Sequence, residues 1–170
     1  MIDRVLIDSL NIRSRDFAVK WKEKIRSTPQ LKHYHSFDDE TLIEKGRPLF
    51  PLLSQTLDRG LNNALIGDFF AKLGKERLKD GFPVSEVIYG LNLGQKVVIE
   101  YMMTEYAPDN PMRMYQSMGA ITRISEFYLL GSFYLIKGFL EETYTSMNQH
   151  DKVSEVMLKK YFKDDFFFKE

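Results

Sequence analysis

The chain has 170 residues, 24 basic and 24 acidic side chains and no cysteine. One domain with a self-sufficient core is expected at this length, while disulfides, thiolate catalysis, thiolate zinc sites and cysteine-held iron–sulfur clusters are excluded. A net charge of zero removes the global field that draws proteins to nucleic acid or acidic lipid.

The start, Met1-Ile-Asp-Arg-Val-Leu-Ile-Asp, has acids among its apolar residues and lacks the uninterrupted core of a secretory signal. A cytoplasmic location is therefore expected. From Ile2 to Arg26, the residues Ile2, Leu6, Leu10, Phe17, Trp21 and Ile25 recur mostly every fourth position among charges, which predicts one long or two short amphipathic helices. Ser27-Thr28-Pro29 ends them. Ser36-Phe-Asp-Asp then offers a side-chain acceptor and early acids before Leu42, Ile43 and Leu49, the pattern of a helix start. Gly46, Pro48 and Pro51 predict that this helix is kinked or broken.

Between Leu61 and Lys79, Leu65, Phe69, Leu73 and Leu78 form one apolar stripe, with Lys72, Lys75, Arg77 and Lys79 toward the end, where cations suit the helix dipole. Gly81 fits a left-handed C-terminal cap and Pro83 the first turn of a new helix. Two antiparallel helices are expected to meet at this corner. Val84, Val87, Ile88, Leu91, Val98 and Met102 carry the next helix to about Tyr106, and Asp109-Asn110-Pro111 restarts the chain by the same logic.

The last helix is the longest. Met114, Met118, Ile121, Ser125, Tyr128, Ser132, Leu135 and Phe139 alternate steps of four and three, and Ile124, Phe127 and Tyr134 fill an adjacent face. A helix this apolar belongs at the centre of a bundle or in a subunit interface. Its run from Phe127 to Ile136 is short of the ~20 residues that span a bilayer, so no membrane span is expected. Gly119, Gly131 and Gly138, with Gly90 and Gly94, would let neighbouring helices approach closely. With no alternating strand pattern or repeat, the fold class is all-α, a bundle of five to seven helices with a long central C-terminal helix. Residues 1–150 are read as the helical domain, and 151–170 as a C-terminal helix and aromatic tail.

Trp21 in the first long helix, Pro29-Gln-Leu31, the acid-rich helix start leading to Pro48-Leu49, and the corner Arg77-x3-Gly81-Phe-Pro-Val-x-Glu86 together resemble one family. It is the N-terminal sensor domain of RsbT co-antagonist proteins of the RsbRD type, also found ahead of bacterial histidine kinases. The resemblance spans roughly residues 15–140. It implies a helical, partly globin-like regulatory domain, usually dimeric, that senses or relays a signal without chemistry of its own. Output is then expected through a separate signalling protein, a kinase or a STAS-type regulator.

The residues supply few rivals to that reading. His33-x-His35 with Asp38 and Asp39 is the one cluster that suggests a metal, but its spacing matches no strong ligand motif, so no metal is expected. Haem would need a ligand on a helix lining an apolar pocket, and His33, His35 and His150 fall in a loop or near a helix end; no cofactor is expected. Ser125 and Ser132 beside Tyr128 are read as hydroxyls that bond back to their own helix, with a polar pocket lining as the second reading. Arg77 and Glu86, flanking Gly81 and Pro83, are read as a pair that fixes the corner. Phe166, Phe167 and Phe168 either dock on a partner or sister subunit or cover their own bundle.

The expected function is a non-enzymatic signal-transduction module, a homodimer through its long helices. An apolar small molecule would bind among Trp21, Phe69, Phe70, Ile121, Ser125 and Tyr128. The alternative is an enzyme assembled in space around Glu126, Arg123 and Tyr128.

Overall fold

The computed structural model describes residues 4–105, 108–149 and 156, so the aromatic tail with Phe166, Phe167 and Phe168 lies outside the described residues. Punctuation in the sequence sets most element boundaries. The first amphipathic stretch divides at Arg13 into α1 (Arg4–Ile12) and α2 (Ser14–Arg26), whose Leu6, Leu10, Phe17, Trp21 and Ile25 are all buried. A 3-10 turn (Tyr34–Ser36) leads into α3 (Asp39–Gly46) and α4 (Leu49–Arg59). The expected kink is therefore a full break, with Pro48 just ahead of α4 and Pro51 in its first turn, where a missing N–H is harmless.

The cap of α3 is Asp38 and not Ser36. Asp38 accepts from the Thr41 N–H at 2.9 Å and from the Thr41 hydroxyl at 2.6 Å, and these bonds, the hydroxyl's foremost, hold its carboxyl below the usual range. Ser36 instead donates to the His33 carbonyl. Asn62 caps α5 (Asn63–Lys79) and Asn110 caps α7 (Pro111–Asn148), each accepting an N–H three residues on.

Between α5 and α6 (Val84–Thr104), Gly81 has φ +81°, the Phe82 N–H reaches the Arg77 carbonyl and the Gly81 N–H reaches the Leu78 carbonyl, both at 2.9 Å. This pair of bonds is the Schellman closure that the sequence anticipates. The helix pairing beyond the corner differs from expectation. Along its length α5 packs not on α6, which it scarcely touches, but on α7, the most extensive helix pairing among the described residues. Phe70 meets Phe127, a Cβ on Gly74 would collide with the Leu135 carbonyl, and Lys75 pairs with Glu141, so the two helices run in the same general direction. A Cβ on Gly138 would likewise collide with the Ala71 backbone.

This close approach inverts the expected faces of α5. Its buried residues are Ile66, Gly67, Phe70, Ala71, Gly74 and Arg77, while Leu65, Phe69 and Leu73 are exposed or half-buried. The buried side of α7 is likewise Ala120, Ile124, Phe127, Tyr128, Gly131, Leu135 and Gly138. Met114 and Met118, placed on the main stripe from sequence, are exposed, and Gly119 faces open space. Among the described residues there is no strand, and no helix is long and apolar enough to cross a membrane. The packing establishes an all-α bundle with a long C-terminal helix.

Candidate functional site

The inversion of α5 leaves its apolar stripe facing a cleft of about 860 Å3. Leu65, Phe69 and Leu73 form one wall, the end of α3 and start of α4 the other, and Trp21, Gly90, Leu91 and Leu135 lie deeper. Trp21 is locked in place: its indole N–H donates to the Gly90 carbonyl at 2.7 Å, and its ring meets Tyr34 edge-on at 5.8 Å. A Cβ on Gly46 would stand 2.6 Å from the indole, so α3 closes directly over that ring.

Arg77 is the charged group set deepest in this cleft, 6% exposed. Its guanidinium lies 3.4 Å from the Lys45 carbonyl, 3.7 Å from the Asp80 carboxylate and over the Phe82 ring, all long contacts for a buried cation. Burial pushes the neighbouring Tyr34 phenol up to about 12, with Arg77 pulling the other way. At the rim Glu40 and Glu44 are engaged by Arg15, and Asp68 by Lys72. The cleft thus combines apolar walls with one deeply set guanidinium.

The corner residues act separately. Glu86 accepts the His33 N–H at 2.9 Å and Arg77 turns toward α3, so the pairing expected between them is replaced by ties to two other segments. The loop histidines serve the backbone: His33 Nε2 lies 3.0 Å from the Asp80 carbonyl and His35 Nε2 2.8 Å from that of Ile25. No group among the described residues could hold a metal ion.

Of the six pocket candidates, Trp21 and Phe69 line the cleft. Phe70 and Tyr128 are buried in the core behind it, and Ile121 packs partly buried against that core. Ser125 accepts from Gln95 of α6 at 3.2 Å, a link between helices in place of the expected return bond. The Tyr128 hydroxyl is buried without a hydrogen-bond partner, and burial pushes its phenol far above the ordinary range. The enzyme alternative fails on geometry, because Tyr128 is buried on one side of α7 while Arg123 and Glu126 are exposed on the other. Sequence reasoning missed Tyr34, Leu49 and Leu91 as lining residues. It placed Leu65 and Leu73 with Phe69 on one apolar stripe but did not see the small residues Gly67, Ala71 and Gly74 on a separate face.

A helical bundle with an apolar cleft and no converging acid–base set has the architecture of a sensing or binding domain. Residues 3–141 match the family model described as histidine kinase N terminal, and the chain belongs to that family, a non-catalytic N-terminal domain of signal-transduction kinases. The resemblance drawn from Trp21 and the corner is thereby borne out, over a longer stretch than residues 15–140. No curated protein and no solved structure matches the chain.

Proposed function

We propose that this chain is a non-enzymatic sensor module that takes a small, largely apolar molecule into the cleft between α3–α4 and α5. The cleft carries this reading: about 860 Å3 falls within the ~300–1,000 Å3 of small-molecule sites, and its wall presents Leu65, which is exposed, with Phe69 and Leu73, which the core covers only in part. Arg77, the deepest-set charge of the cleft, suits one acceptor group on an otherwise apolar ligand.

The module pairs with a second copy along α7. On that 38-residue helix, Tyr115, Met118, Leu129, Phe133 and Ile136 are exposed at 77, 63, 73, 53 and 39% and fall within an arc of about 60° at 100° per residue. The stripe lies opposite the face buried against α5 and α6, with coiled-coil-like steps of four and three between Leu129 and Ile136. A stripe of this length on a charged, neutral chain fits its own two-fold copy. Output passes to a kinase or a STAS-type regulator by helix repacking.

Native mass spectrometry of freshly purified protein tests both parts, with a dimer retaining a small-molecule adduct as the expected spectrum. Leu129→Glu with Phe133→Glu should give a folded monomer. A wild-type monomer with no adduct would remove the support for both.

A further inference from the structure

Leu135 stands where two faces of the molecule meet. Its side chain is fully buried at the bottom of the cleft, its carbonyl occupies the space a Cβ on Gly74 would need, and the next residue, Ile136, is exposed on the outer face of α7. Three residues further, Gly138 rests on the backbone of Ala71. Lys75 to Glu141 at 2.7 Å and Lys79 to Glu142 at 3.7 Å extend the seam toward the end of α7.

Between Ala71 and Lys79, then, α5 is joined to α7 by backbone-to-backbone contact and two ion pairs. Close-packed backbones with no side chain between them have no slack in which to slide. The opposite side of α5 differs, since the cleft separates Leu65, Phe69 and Leu73 from α3 and α4. The end of α5 is tied to α3, where Arg77 meets the Lys45 carbonyl at 3.4 Å and Lys45 Nζ lies 2.8 Å from the Asp80 carboxylate, so a swing of α5 about that end opens or closes the cleft while leaving the α5–α7 seam intact.

We infer that α5 and α7 move as one rigid pair against the rest of the bundle, so that filling the cleft is read out as a displacement of the outer face of α7. This deepens the proposed function and rests on the cleft being the ligand site. The coupling is mechanical: an occupant pushes on Phe69 and Leu73, the seam carries the push to Leu135 and Gly138, and Ile136 and Phe133 move with them. Helix shifts of about 1–2 Å are the usual scale of such transitions.

The chain has no cysteine and a single tryptophan, Trp21, which allows occupancy and displacement to be read separately. Two double-cysteine proteins share a nitroxide at Arg123→Cys on α7, the second label being Ala64→Cys on α5 or Glu23→Cys on α2; all three sites are exposed. Each is diluted with unlabelled protein, and distances are measured by pulsed electron resonance with and without 1-anilinonaphthalene-8-sulfonate. Quenching of Trp21 reports entry of the probe. The expected result is quenching, a Glu23–Arg123 shift of about 2 Å and an unchanged Ala64–Arg123 distance. Leu73→Trp, which fills the cleft without any probe, should shift the first distance and spare the second. Quenching with the first distance unmoved, or with both distances moved alike, overturns the coupling and leaves the cleft reading standing. No quenching overturns both.

Discussion

The seam between α5 and α7 makes a prediction of opposite sign at two glycines of one helix. A Cβ on Gly138 would stand 2.6 Å from the Ala71 Cα and closer still to its carbonyl oxygen. Backbone atoms cannot rotate aside, so Gly138→Ala must push the helices apart and loosen the packing around Leu135 and Phe70. Overpacking of this kind costs about 1–3 kcal/mol, offset by roughly 1 kcal/mol from the better helix propensity of alanine. Because the clash is with backbone atoms, the upper part of that range applies, about 2–3 kcal/mol, and the net loss should be about 1–2 kcal/mol. Gly119 has nothing within 4 Å, so Gly119→Ala keeps only the propensity gain, about 0.5–1 kcal/mol. Urea unfolding followed by far-ultraviolet circular dichroism compares them, and with a slope of roughly 2 kcal/mol per molar the two midpoints should lie about 1 M apart on either side of wild type. A Gly138→Ala protein as stable as wild type, at an unchanged slope, would show that the two backbones are not in contact.

The polar groups give three further outcomes. Tyr128→Phe should raise stability by about 1 kcal/mol, because it removes a buried hydroxyl without a partner; a loss in urea unfolding would mean that the hydroxyl is satisfied. Asp38→Ala should lower stability by about 1 kcal/mol through the lost cap of α3, with Asp38→Asn restoring most of it. The carboxyls of Asp38, Asp39, Glu40 and Glu105 are all held below their usual range, by Thr41, by Arg26 and Lys22, by Arg15, and by Lys20 and Arg13 respectively. A depressed folded value means that the contribution is complete above the unfolded values of about 4 and is lost as pH falls through the folded ones. The melting temperature should thus hold from neutrality to about pH 5 and fall below about pH 4, less steeply in high salt because the pairs are exposed. A melting temperature that is level down to pH 2 would contradict these assignments.

Local chemistry was legible in the sequence wherever one residue type has one structural use. Gly81 needed a positive φ, Pro111 fitted a first helical turn, and Gly46 with Pro48 broke a helix. Each constrains only its own neighbourhood. The partners of α5 were not legible, because its two faces are both apolar: Leu65, Phe69 and Leu73 outweigh Ile66, Phe70 and Ala71 in bulk, and periodicity ranks faces by bulk. Gly74 and Gly138 lie 64 residues apart in the chain, and nothing local announces that they oppose one another. Similarly, the spacing of Arg77 and Glu86 suggested a pair, but the third segments that claim them, the end of α3 and the loop at His33, come from earlier in the chain.

The inverted faces of α5 bear directly on function. A helix selected for stability alone would turn its largest apolar residues inward, since each fully buried side chain contributes about 1.5–3 kcal/mol. Here Gly67, Ala71 and Gly74 share the inward face of α5 with Ile66 and Phe70, allowing α7 to approach, and Leu65, Phe69 and Leu73 are left exposed or half-covered along a cleft. The same surplus recurs on α7, where Leu129 and Phe133 face outward while Gly131 and Gly138 face in. Two helices joined through glycines therefore each carry uncovered apolar residues on the side away from their seam, one set concave against the cleft and one set convex toward solvent. Stability alone does not explain either surplus, and the proposed ligand on one side with the proposed second subunit on the other would account for both.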